Sequence, residues 1–71
     1  MTGVEKMNDR ESLIARKQEV LRELTRARRQ LEAVQLAGDR HRRQRATELE
    51  GEIERLMAEE YRLRIAIDRA N

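Results

Sequence analysis

From Leu13 onward, apolar or small residues recur at Leu13, Val20, Leu24, Ala27, Leu31 and Val34 in alternating steps of three and four, with Lys17 filling one slot of the stripe. A second stripe runs through Ala46, Leu49, Ile53, Leu56, Leu63, Ile67 and Ala70, and Glu60 fills the slot between Leu56 and Leu63. This is the heptad spacing that keeps one seam of an α-helix apolar, so each stripe predicts a long amphipathic helix carrying one charged interruption.

The phase of the two stripes decides between one helix and two. An uninterrupted helix would be ~100 Å long at 1.5 Å per residue. Continuing the first seam through Gly38 would place His41, Arg45, Glu48 and Glu52 in the core, whereas the apolar slots fall one residue later, at Ala46, Leu49 and Ile53. The break coincides with Gly38-Asp39. The pattern therefore predicts an all-α, antiparallel two-helix hairpin of coiled-coil type in a single domain, with helix 1 over about 8–37, a turn at 38–39 and helix 2 over about 40–70. Asn8, three residues before Glu11, offers an Asx form of the capping box, and Thr2 with Glu5 offers the same spacing earlier. Gly38 stands where helices commonly end, and Asp39 is placed to cap the second helix. Gly51 costs about 1 kcal/mol relative to Ala inside a helix, and reads as tolerated or as a site of close helix approach.

A turn at 38–39 makes facing residues have numbers that sum to about 77. Leu31 then meets Ala46, Ala27 meets Leu49, Leu24 meets Ile53, Val20 meets Leu56 or Met57, and Leu13 meets Leu63. Lys17 meets Glu60, so the two interruptions fall in one layer with opposite charge. The expectation is a partly buried ion pair that fixes register more than it stabilises. Two helices bury only one seam, and further apolar residues lie beside it: Ile14 and Leu21 on helix 1, and Met57, Tyr61 and Ile65 on helix 2. All five sit toward the chain termini, which suits completion by dimerisation into a four-helix bundle, or docking on another helical protein.

Composition narrows the function classes. The chain has 71 residues, 42% charged and 38% hydrophobic, with Tyr61 its one aromatic and neither Pro nor Cys. So charged a chain invites disorder, but the two signs are interleaved, the net charge is only +2 and the apolar residues recur regularly. One seam provides no water-excluding pocket, so no enzyme, cofactor or small-molecule substrate is expected. His41 near Asp39 is too sparse for a metal site, and the glutamates between 48 and 60 lack the Glu-x-x-His of bundle metal proteins. Met1–Asn8 has no signal-peptide apolar region and no stretch approaches the ~20 apolar residues of a membrane span, so a cytoplasmic protein without membrane contact is expected.

Charge is distributed unevenly. Residues 26–45 hold seven arginines (Arg26, Arg28, Arg29, Arg40, Arg42, Arg43, Arg45) and His41 against Glu32 and Asp39. Basic residues in the first turn of a helix oppose its macrodipole, and local rules are broken more often at functional sites than elsewhere. Three readings stand side by side: a solvated loop, a tip that in an antiparallel dimer meets the acidic run Glu48, Glu50, Glu52, Glu54 of a second copy, and an anion site for RNA or DNA phosphate. Without aromatic stacking partners, any nucleic-acid binding here would be phosphate-led and salt-dependent.

The segment Leu49-Glu-Gly-Glu-Ile-Glu-Arg-Leu56 resembles the second helix of the small helical-hairpin phosphatases that act on sporulation response regulators. That family's motif needs a Ser and an Asp where this chain has Glu50 and Glu54, so the resemblance implies no phosphatase role. In size and plan the chain is similar to the dimeric hairpin regulator of plasmid RNA pairing, without a shared motif. The expectation is a non-enzymatic protein–protein interaction module, an adaptor, chaperone or regulatory subunit; the alternative is a dimeric hairpin that binds RNA or DNA through its arginines.

Overall fold

The computed structural model describes residues 2–38 and 40–70, with side chains from Asp9 onward. Two helices, α1 (Thr2–Ala37) and α2 (Arg42–Arg69), pack against each other as a hairpin. The result is a rod of 54 × 16 × 14 Å. Helix formation follows from long runs of Leu, Glu, Arg, Gln and Ala uninterrupted by Pro. α1 continues past Asn8 to Thr2; the proposed capping side chains Thr2, Glu5 and Asn8 lie outside the described side chains. Gly38 follows α1 at φ +66°, the left-handed conformation that ends many helices and that glycine adopts without strain.

Asp39 also lies outside the described residues, and the N-cap position of α2 is His41 at φ −94°, without a side-chain capping hydrogen bond. The second helix thus starts two residues later than Asp39 would set it. The first helical backbone bond there runs from the Arg45 N–H to the His41 carbonyl at 3.0 Å. At the other end of α2, the Ala70 N–H bonds back to the Ile67 carbonyl at 3.2 Å and Arg69 complements the dipole in the last turn.

The seam is buried along the middle of the rod. Val20, Leu24, Ala27 and Leu56 form one buried cluster with Ile53 and Leu63 packed on it, and Leu49 and Ile67 are buried outside that cluster, Ile67 toward the stem end. Leu31, Val34 and Ala46, nearer the turn, are half-buried, as is Leu13 in the stem. No polar or charged side chain is buried among the described residues. Gly51 is not a point of close helix approach: a Cβ built there would meet only Arg55 Nη1, at 4.0 Å. The outward position follows from the register, two residues after the seam residue Leu49 and two before Ile53.

Candidate functional site

Three surface features are candidates: an apolar side of the stem, a set of ion pairs across the two helices, and the arginine-rich tip. On the stem, Leu21 and Met57 immediately follow the seam positions Val20 and Leu56, so in an antiparallel pair they emerge on the same side of the rod. They are 44% and 49% exposed, and Tyr61, one turn beyond Met57, is 59% exposed. Ile14 precedes Leu21 by one heptad on the same side and is half-buried. Ile65 is also half-buried, further round α2 from the seam. Leu36, 81% exposed, stands apart from this group near the turn.

The opposite side of the stem is tied by charge. Arg16 holds Glu59 across the helices in a two-pronged contact, Nε to Oε2 at 2.8 Å and Nη2 to Oε1 at 3.1 Å, and reaches Glu19 on its own helix at 3.2 Å. These bonds keep the Glu59 carboxyl below the usual carboxylate range, Arg16 being the main cause, and raise the Arg16 guanidinium further, first through Glu59 and then through Glu19. Sequence reasoning missed this pair because it followed the seam alone. Both residues immediately precede seam slots, and flanking positions meet across an antiparallel pair.

Lys17 Nζ lies 3.9 Å from Glu60 Oε2, at the long limit of an ion pair, with side chains 31% and 13% exposed. Glu60 is held more closely by Arg64 on its own helix, at 3.0 and 3.1 Å. The layer is therefore a triad of one carboxylate between two cations. Arg64, four residues after Glu60, was legible from helical spacing alone.

The tip has a partly structural explanation. Arg42 sits at the positive end of α2, but its Nη1 donates to the Gln35 carbonyl at 3.4 Å. That carbonyl is in the last turn of α1, where the intrahelical partners run out and the dipole is negative. The hairpin brings the two ends together, so Arg42 opposes one macrodipole while complementing the other. Arg45 pairs with Glu48 at 3.5 Å. Arg26, Arg28, Arg29, Arg40 and Arg43 are exposed and form no ion pair among the described residues. Arg26 and Arg29 share an open groove on α1 with Arg22, Thr25, Gln30 and Ala33.

The fold also revises the reading of charge. Because the chain turns back at Gly38, the acidic run Glu48–Glu54 lies level with residues 23–29 of α1, beside the arginines Arg26, Arg28 and Arg29. The charge is thus polarised across the middle of the rod, basic on α1 and acidic on α2, as well as along it. Among the described residues no group of three or more His, Asp or Glu side chains converges as a metal-ligand set, and no helix is long and apolar enough to cross a membrane. No family model, curated protein or solved structure matches the chain.

Proposed function

We propose that the chain is a non-enzymatic interaction module, an adaptor, chaperone or regulatory subunit, whose stem docks onto a second copy to form a four-helix bundle. The observation that carries this reading is the exposure of Leu21, Met57 and Tyr61 together on one side of the rod. Among the described residues the seam buries only Val20, Leu24, Ala27, Leu49, Leu56 and Ile67, a small core against which a second apolar side matters. Contiguous exposed apolar side chains of this kind mark interaction surfaces. The grooves along the rod are open to solvent, in keeping with a docking surface and not a reaction chamber.

Sedimentation of the purified chain tests the proposal. The expected result is a dimer that survives high salt and becomes monomeric in Leu21→Asp and Tyr61→Asp. A wild-type chain that stays monomeric and fully helical at millimolar concentration would overturn it.

A second reading, salt-dependent binding of RNA or DNA by the tip, is favoured by one observation: Arg40 and Arg43 are exposed there without ion-pair partners among the described residues. Retention of a duplex at low salt, lost on adding salt and in Arg40→Ala/Arg42→Ala/Arg43→Ala, would support it. Equal retention by that variant would refute it.

A further inference from the structure

The side of the rod that carries Leu21 and Met57 continues toward the tip, and there its chemistry changes. One heptad beyond Leu21 stands Arg28, and one heptad before Met57 stands Glu50. Both are exposed, and neither forms an ion pair among the described residues. One further heptad outward come Gln35 on α1 and Arg43 on α2. This side is therefore a ladder of layers, read from stem to tip as Ile14 with Arg64, Leu21 with Met57, Arg28 with Glu50, and Gln35 with Arg43.

Resting on the self-association proposed above, we infer that the two hairpins lie parallel, tip beside tip, so that α1 of each copy packs on α2 of the other. A two-fold axis along the rod stacks every layer on its own copy with α1 and α2 exchanged. Leu21 then meets the partner's Met57, and each Arg28 meets the partner's Glu50, which gives two reciprocal ion pairs next to the apolar layer. Gln35 meets the partner's Arg43, so neither tip arginine of this side faces another arginine.

The antiparallel arrangement lays α1 on α1 and α2 on α2. Centred on the Leu21–Met57 layer, it sets Arg28 over the partner's Ile14 and asks Arg64 to serve the partner's Glu50 while it is already held by Glu60 at 3.0 Å. Shifted toward the stem until Arg28 is level with the partner's Glu11, it carries Glu50 away from the partner's Arg64 and beside the partner's Asp68, a like charge. Charge arrangement selects orientation and register even where it adds little affinity, and only the parallel stacking sets Arg28 and Glu50 level with an opposite charge in one and the same register.

The chain has no cysteine, so a single Leu36→Cys substitution, at a side chain 81% exposed, gives one clean spin-label site close to the tip. Dipolar distance measurement on the labelled dimer is expected to give a separation under about 35 Å for tips side by side. Antiparallel copies place the labels about 45 Å or more apart at 1.5 Å rise per residue. In parallel, Arg28→Glu is expected to raise the dimer Kd about tenfold and Arg28→Glu/Glu50→Arg to restore it. An intact dimer with the long distance, or a double variant as weak as the single one, would overturn the parallel arrangement and leave self-association standing. A monomeric chain would overturn both.

Discussion

Gly38 and Gly51 are a matched pair of sites at which one chemical change, Gly to Ala, should act in opposite directions. Around both positions there is room: beyond the adjoining backbone, no atom lies within 4 Å of a Cβ at Gly38, and only Arg55 Nη1, at 4.0 Å, meets one at Gly51. Sterics with the rest of the protein therefore drop out, and the backbone decides. Gly51 is inside α2, where Ala is favoured over Gly by about 1 kcal/mol through lower unfolded-chain entropy and better backbone shielding. Gly38 is at φ +66°, where a Cβ costs roughly 1–2 kcal/mol, partly offset by the same entropy effect of about 0.4–1 kcal/mol. Gly51→Ala should stabilise by about 1 kcal/mol and Gly38→Ala destabilise by a similar amount. In a domain of this size each kcal/mol moves the midpoint by about 4–8 °C, so the variants should melt roughly 8–16 °C apart on either side of the parent. Thermal unfolding followed by far-UV circular dichroism, at one fixed chain concentration because association raises Tm, is the assay. A destabilised Gly51→Ala would mean that another surface packs on that position. An unchanged Gly38→Ala would mean that the turn does not use a left-handed residue there.

Three further outcomes are expected. Leu24→Ala empties the centre of the buried cluster and should cost 2–5 kcal/mol, enough to collapse the helical signal at 37 °C, whereas Leu36→Ala at an 81% exposed site should stay within about 0.5 kcal/mol; similar losses from both would contradict the buried seam. Glu59 has its folded-state carboxyl lowered by Arg16, so its contribution is present above the usual carboxylate range and disappears as the pH falls through the lowered folded value; Tm should drop on that acid side, and less so in Glu59→Gln, while parallel pH profiles would remove the pair from the account. Lys17→Glu should lower Tm, and Lys17→Glu/Glu60→Lys should recover only part of it because the new lysine faces Arg64; adding Arg64→Glu should complete the recovery, and full recovery by the double variant would show that Arg64 does not share the layer.

The two helices and the reversal between them were legible because heptad phase is a global property: a one-residue slip at Gly38 shows in every later apolar position, whatever the individual propensities. The layer holding Lys17 and Glu60 was legible for the same reason. Local signals did less well. Asp39 is a good capping residue by type, yet the helix begins after His41, since a reversal between two packed helices needs more chain than a minimal two-residue turn. Gly51 carried a packing interpretation only because glycine has two unrelated uses, and the sequence does not say whether the facing surface is another helix or water. The charge pattern misled most. A window along the chain adds Arg26, Arg28 and Arg29 to Arg40 and its neighbours, while the fold sets them level with Glu48–Glu54. Arg42, conspicuous as a cation at a helix N-terminus, proved to serve the end of the preceding helix.

The tight reversal at Gly38 also orders the hairpin in time. Contacts near the turn close short loops, about 15 residues for Leu31 with Ala46, whereas Leu13 with Leu63 closes about 50, so pairing is cheapest at the turn and propagates outward like a zipper. The well-buried layers of Ala27, Leu49 and Leu24 come early in that sequence. Ile14 and Tyr61 stand at the open ends, which join last and separate first. A partner gripping there would act as a clamp on the ends most prone to fray, slowing unfolding more than it speeds folding.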